Sequence, residues 1–216
     1  LPNNLTTTLL GAGLLWFGWI GFNAGSALGA TDVAVSAFAS THLAAAAGLL
    51  GWILVEKLRI GKATALGAAS GLVAGLVGIT PAAGFVTPAS GVIIGLIAGV
   101  VCCLAVNLKH KLGYDDSLDV VGVHGVGGLT GAILTGVFAS ETVNAGAVKA
   151  ALDANNGRTG LIVTQIVGVL AVAVFSFVVS FLLVKVAALL GGVRVSPADE
   201  EAGLDLALHG EAGYNL

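Results

Sequence analysis

Long uninterrupted apolar runs constrain the fold of this chain more than any other feature of its sequence. Six of these runs approach the roughly 20 residues that an α-helix needs to cross the hydrocarbon core of a bilayer. Only 10% of the 216 residues are charged, against about a quarter in an ordinary soluble domain. The sequence therefore predicts an all-α membrane protein with six transmembrane helices in a lipid bilayer.

Short turns separate the predicted spans, and their basic residues indicate an orientation. The spans are expected at about Leu5–Leu28, Val33–Val55, Ala63–Ile79, Ala89–Leu108, Leu118–Ala139 and Leu161–Leu190. Lysine and arginine concentrate in the turns after the second and fourth spans, and such residues favour the cytoplasmic side. We therefore expect a multi-pass protein of the cell membrane (inner or plasma membrane) with both ends of this chain in the cytoplasm. A polar loop is expected at Ser140–Thr159.

The segment after the last span differs in composition from the rest of the chain. Residues 1–190 form the predicted transmembrane domain, and residues 191–216 form a predicted cytoplasmic regulatory tail that is rich in Asp and Glu. The glycines, the leucines and Tyr214 of this tail favour a segment that folds against the membrane domain over a flexible end.

Glycine recurs four residues apart in two of the predicted spans. The small side chain of glycine lets membrane helices approach one another closely. The two series are Gly67, Gly71 and Gly75, and Gly91, Gly95 and Gly99. Both series therefore predict helix-packing faces.

Ionisable side chains are costly inside a membrane, so each one in a predicted span is a candidate for function. His124 lies in a glycine-rich stretch of the fifth span, residues 122–128. A neutral imidazole can both donate and accept a hydrogen bond. The residues alone leave open whether His124 lines a pore or is satisfied by a neighbouring helix.

Three further ionisable residues lie at or inside the spans. At about 100° per residue, Asp119 and His124 do not share a helix face. Asp119 and Asp32 are predicted to cap the starts of the fifth and second spans. His42 is predicted to pack against another helix. No metal-ligand spacing indicates an intramembrane metal site, and a net charge of −3 without a basic cluster argues against nucleic acid.

The first predicted span carries the densest group of aromatic and polar residues. Trp19, Phe22 and Ser26 are spaced i, i+3 and i+7, which places them along one stripe of a helix. An aromatic face can hold a cation with about 0.5–2 kcal/mol, and a hydroxyl oxygen can accept an ammonium N–H. The stripe is typical of the lining of a narrow conduit or of an interfacial aromatic belt.

Four segments of the chain together resemble the Amt/Rh ammonium transporter family. They lie at 18–26, 75–82, 115–125 and 203–211, in the order in which the family carries them. The resemblance covers essentially the whole chain, and its last segment favours the Amt branch over the Rh branch. One departure is Ile20, where many relatives carry an aromatic residue.

The resemblance implies an eleven-helix protomer of two inverted five-helix repeats and a final long helix, assembled as a homotrimer. This chain would supply helices six to eleven, that is, the second repeat and the final helix. By the same match His124 is one of two paired pore histidines, and Phe22 is one of two stacked gate phenylalanines. Ser26 would belong to an outer ammonium-recruitment site, and Trp19 would line the pore further inward.

The implied function is transport of ammonium or ammonia for nitrogen uptake, with no enzymatic activity, metal or cofactor. The alternative is an ammonium sensor that signals through the tail. The family also implies a PII-type signal protein as a partner at the cytoplasmic face. The family's first half, with its own pore histidine and gate aromatic, is missing from these residues. We expect the chain to be part of a longer polypeptide whose pore is complete only with that half.

Overall fold

The computed structural model describes residues 2–212, apart from the side chain of His110, and every regular element in that range is helical. The elements are α1 (Leu5–Gly25), α2 (Asp32–Ile60), α3 (Ala65–Ile79), α4 (Pro88–Leu112), a π-helical turn (Val121–Gly125), α5 (Val126–Phe138), α6 (Glu141–Ala154), α7 (Arg158–Gly191), α8 (Pro197–Ala202) and a second π-helical turn (Asp205–His209). They divide into two units with the boundary after Val169, inside α7.

Five of the helical segments are long and apolar enough to cross a membrane. They are α1, α2, α4, the segment Val121–Phe138 and α7. The predicted third span is present as α3, but its 15 residues make it shorter than the others. It ends at Ile79, two residues before Pro81, which has no backbone N–H to continue the helical hydrogen bonds. The chain is a multi-pass membrane protein, as predicted.

Hydroxyl and amide side chains cap the starts of most helices. The Thr31 hydroxyl oxygen accepts a hydrogen bond from the Ala34 backbone N–H at 3.3 Å and caps α2. The prediction that Asp32 caps this helix is therefore wrong. Asp32 lies one residue later, in the first turn, where its charge still meets the positive end of the helix dipole.

The glycine faces pack α2 directly against α3 and α4. A Cβ atom added to Gly48 of α2 would lie 2.6 Å from the Cα of Gly75 in α3. A Cβ added to Gly95 of α4 would lie 2.6 Å from the Cα of Ala44 in α2, and one added to Gly99 would overlap the Gly48 backbone. Because no side chain fits between these backbones, the predicted helix-packing faces are confirmed.

Buried polar side chains connect the helices at the end of the molecule away from the basic turns. The Asn23 amide of α1 donates to the Thr41 hydroxyl of α2 at 3.0 Å. The buried Ser40 hydroxyl donates to the Val86 carbonyl at 3.3 Å, which joins α2 to the turn before α4. The Asn23, Ser40 and Thr41 side chains gain partners in this way, which avoids the cost of leaving them unpaired.

The predicted polar loop Ser140–Thr159 contains a helix, so that prediction is wrong. Helix α6 begins after Ser140, whose hydroxyl oxygen accepts from the Thr142 N–H at 3.3 Å. It bends at Asn144, where φ is −140° and ψ is 75°. The alanine-rich sequence and the ion pair between Lys149 and Asp153, at 2.8 Å, favour a helix. The Asp153 carboxylate raises the pKa of Lys149.

The second unit contains the last part of α7 and the tail. Ser196 caps α8 by accepting from the Asp199 N–H at 3.2 Å, and Arg194 pairs with Glu200 at 3.0 Å. The described part of the tail thus has local structure of its own. Residues 213–216, which include Tyr214, lie outside the described residues. Folding of the tail against the membrane domain stays a prediction.

Candidate functional site

Helix α1 runs past three concavities that follow one another along its length. The inner cavity, of about 360 Å³, lies toward the basic turns and contains His124. The middle groove, of about 730 Å³, lies along the centre of α1 and contains Trp19. The outer cavity, of about 290 Å³, contains Phe22 and Ser26. Gly11 and Leu15 belong to both the inner cavity and the middle groove, and Phe22 to both the middle groove and the outer cavity.

His124 reaches the inner cavity from the π-helical turn. The turn is closed by the Val126 N–H, which donates to the Val121 carbonyl five residues earlier. Asp119 lines the same cavity, but it lies before the helical segment, so the predicted difference in helix faces does not apply to it. That prediction assumed that both residues belong to one α-helix, whereas Asp119 precedes the helix and His124 lies in a π-turn, a feature often found at functional sites.

Asp116, rather than Asp119, caps the start of this helical segment. Its two carboxylate oxygens accept from the N–H groups of Val120 and Val121 at 2.8 and 2.9 Å. The prediction that Asp119 is the cap is therefore wrong. Asp119 has a φ of 57°, in the left-handed region, and its carboxylate forms an ion pair with Lys109 at the end of α4.

Trp19 lies at the centre of the line, in the middle groove. Its indole N–H donates to the Thr80 hydroxyl at 2.7 Å, and that hydroxyl donates to the Leu76 carbonyl at 2.7 Å. The Trp19 ring meets the Phe22 ring edge to face, with centroids 6.4 Å apart. The hydrogen bond fixes the indole, because rotating it away would leave a polar group without its partner.

Phe22 and Ser26 meet in the outer cavity, as their spacing predicts. The Ser26 hydroxyl donates to the Phe22 carbonyl at 2.6 Å, which leaves the lone pairs of its oxygen free to accept. Asn144 also lines this cavity, from the bend in α6. Asn144 was not predicted, because residues 140–159 were expected to form a loop and no residue pattern there indicates a bend toward α1.

His42 lies apart from this line of concavities. Its ring stacks on Trp16 of α1 with centroids 4.9 Å apart, and Phe38 lies at 6.4 Å. His42 is not among the lining residues of the three concavities. The contact between α1 and α2 fits the packing role predicted for it.

Within the described residues, the line of concavities has a wall on one side only, and α1 forms that wall. Phe22 is 61% exposed and Phe17 is 80% exposed. The middle groove is lined by Gly11, Leu14, Leu15, Gly18, Trp19 and Phe22, all of them residues of α1 itself. The arrangement supplies an apolar path with polar groups at its two ends.

Comparison with known proteins places these residues in a family. The model of the Ammonium Transporter Family matches residues 1–214. The chain is 51% identical to an ammonium transporter of Bacillus subtilis over 99% of its own length and 52% of that protein. It is 48% identical to a putative ammonium transporter of Methanothermobacter thermautotrophicus, over 100% of its length and 53% of that protein.

Solved structures agree with the sequence relatives. Mep2 of Saccharomyces cerevisiae superposes with a TM-score of 0.83 at 43% identity, over 93% of this chain and 46% of that one. A Sensor Amt Protein superposes with a TM-score of 0.85 at 30% identity, over 95% of this chain and 49% of that one. The chain spans about half the length of these relatives, which agrees with the prediction that it corresponds to one half of the fold. On these findings the chain belongs to the ammonium transporter family.

Proposed function

We propose that this chain forms half of a pore that carries ammonium or ammonia across a cell membrane. The observation that supports this most is the unbroken line of concavities along α1. It leads from the hydroxyl and aromatic groups of Ser26 and Phe22, past Trp19, to the imidazole of His124. Its centre is lined by apolar side chains, as a pore for a small neutral molecule requires.

Each group on this line suits one step of the proposed transport. An aromatic face and a hydroxyl oxygen attract and accept the N–H groups of ammonium at the outer cavity. An ion that enters an apolar groove loses its hydration at a high cost in free energy, and neutral ammonia avoids most of that cost. His124 can donate to or accept from the substrate and can take up the separated proton. Potassium, which has no proton to lose, is excluded by the same groove.

The other wall of the pore comes from outside these residues in this proposal. The first half of the same protomer would cover the exposed face of α1, and the complete protomers would form a homotrimer. The basic turns would face the cytoplasm, where a PII-type signal protein is the proposed partner. Residues 191–216 would act as the regulatory tail.

Uptake of labelled methylammonium tests the proposal. The chain is joined behind the first half of the Bacillus subtilis relative, and this joined transporter is produced in cells without ammonium transporters of their own. We expect uptake that excess ammonium abolishes and excess potassium leaves unchanged. The chain alone, produced at the same level, is the control and should carry nothing. Equal competition by potassium would contradict the proposal.

Replacing Trp19 by phenylalanine is expected to lower uptake by about 2- to 10-fold. The substitution keeps an aromatic face and removes the N–H that donates to Thr80, a bond worth about 0.5–1.5 kcal/mol. Thr80→Val should give a similar loss, and the double variant should be no worse than either single one, because both remove the same bond. Fully additive losses would show that the bond does not hold the indole in place.

An ammonium sensor is the second candidate, and the superposition on a Sensor Amt Protein is the observation that favours it. A sensor would bind ammonium and change the state of its tail with little flux. The same cells distinguish the two candidates. Saturable binding of ammonium to the purified joined transporter, without methylammonium uptake above that of empty cells, would favour the sensor.

A further inference from the structure

The linker between α4 and the π-helical turn is tied to α4 through one side chain, that of Lys109. Its ammonium group pairs with the Asp119 carboxylate and donates to the Asp116 carbonyl at 2.6 Å. The side chain of Lys109 is only 13% exposed and that of Asp119 is 30% exposed. A pair that is partly shielded from water is screened less than an ordinary surface ion pair.

Asp119 needs such a contact because of its backbone conformation. Its φ of 57° lies in the left-handed region, which residues other than glycine keep only where their surroundings hold them. Lys109 contacts both ends of the stretch 116–119, because it donates to the carbonyl of Asp116 and to the carboxylate of Asp119. The Asp119 carbonyl in turn accepts from the Val123 N–H at 2.8 Å.

The position of this stretch determines how His124 is presented. Asp116 caps Val120 and Val121, so the linker fixes the residue at which the helical segment begins. His124 follows within the π-turn and shares the inner cavity with Asp119. A shift of the segment by one residue would turn the imidazole by about 100° around the helix axis, out of the cavity.

We propose that Lys109 is a positioning residue for His124, acting through Asp119 and the left-handed linker. The proposal rests on the proposed function, since it concerns the imidazole placed in the substrate path. It differs from a general stabilising role of the ion pair. A stabilising pair would affect how much transporter reaches the membrane, whereas a positioning residue affects the uptake of each molecule that does.

Lys109→Gln in the joined transporter tests this role through kinetics. Uptake per transporter molecule, measured against the amount of protein in the membrane, is expected to fall about 10-fold or more at saturating methylammonium. The half-saturating concentration should change less than about 2-fold, because the outer cavity is untouched. Lys109→Arg, which retains the charge and the donors, should restore most of the uptake. Lys149→Gln, in the exposed pair with Asp153, is the matched control and should leave uptake unchanged.

A structure of the Lys109→Gln variant provides a readout that does not depend on transport. We expect the stretch 116–125 to rearrange, with loss of the Val126-to-Val121 hydrogen bond and displacement of the imidazole. If the unmodified joined transporter carries no methylammonium, the proposed function fails and this structure alone decides the role of Lys109. If Lys109→Gln does not reach the membrane, Asp119→Asn, which keeps the shape of the side chain, is measured in its place with the same outcomes.

Two results would overturn the inference. One is uptake per molecule in Lys109→Gln that equals that of the unmodified transporter. The other is a π-turn and a His124 ring that stay in place in the structure of the variant, whatever happens to uptake.

Discussion

Replacing His124 with alanine is expected to lower methylammonium uptake by the joined transporter about 100-fold. The imidazole is the titratable group that the π-helical turn brings to the inner cavity beyond the apolar groove. Without the imidazole, a desolvated substrate in this cavity would lack a hydrogen-bonding partner, at a cost of about 2–3 kcal/mol. The measurement is initial uptake per transporter molecule in cells without other ammonium transporters.

The matched control for this substitution is His42→Ala. His42 is the other histidine of the predicted spans, and it stacks on Trp16 away from the three concavities. We expect its loss to change uptake by less than about 2-fold, since a single ring stack is worth about 0.5–1.5 kcal/mol and acts on packing. Equal losses from the two alanine variants would contradict a pore role for His124.

Replacing Gly75 with alanine is expected to lower the stability of the folded protein clearly. The new Cβ would overlap the backbone carbonyl of Ala44 in α2, and neither helix can move without disturbing the other glycine contacts. Overpacking of this kind costs about 1–3 kcal/mol, which corresponds to a fall of about 1–4 °C in the unfolding midpoint of a joined transporter of about 400 residues. Thermal unfolding of the purified joined transporter in detergent measures this midpoint.

Gly13→Ala is the control for this substitution. Nothing lies within 4 Å of a Cβ added to Gly13, which is also helical. Alanine favours a helix over glycine by about 0.5–1 kcal/mol, so we expect an unchanged or slightly higher midpoint. The opposite signs of the two changes separate close helix packing from helix propensity. A midpoint for Gly75→Ala at or above that of the parent would show that α2 and α3 are not in the described contact.

The predictions from sequence were most accurate where they rested on helix length and small residues. Apolar runs of sufficient length fix α1, α2, α4 and α7 because nothing except a helix satisfies the backbone of such a run in a bilayer. The glycine spacing predicted the contacts of Gly75 because only a small residue permits them. Both inferences depend on constraints that hold regardless of the neighbouring helices.

Predictions that depended on local backbone geometry failed. Thr31 and Asp116 are the caps, although Asp32 and Asp119 lie nearer to the apolar runs. The π-turn before α5 was not predicted, because the sequence analysis treated the fifth span as a regular α-helix. Helix α6 was missed because it is too short and too interrupted by polar residues for a span, although its alanine content and its i, i+4 ion pair indicated a helix.

The sequence predicted which residues belong to the site but not how these residues are arranged in space. The spacing of Phe22 and Ser26 predicted a shared stripe, and the two residues do line one cavity. Spacing within one helix carries no information about His124, which reaches the same line from another helix, or about Asn144, which reaches it from the bend in α6. The transport roles of Trp19, Phe22, Ser26 and His124 remain proposals.

Flux through purified joined transporter in lipid vesicles tests the central claim most directly. Equal inward gradients of ammonium and of potassium are applied in turn to the same vesicles, and uptake is measured for each ion. We expect rapid entry of ammonium, and entry of potassium no faster than through protein-free vesicles. Entry of the two ions at similar rates would contradict it, because an apolar groove passed only by ammonia cannot carry potassium.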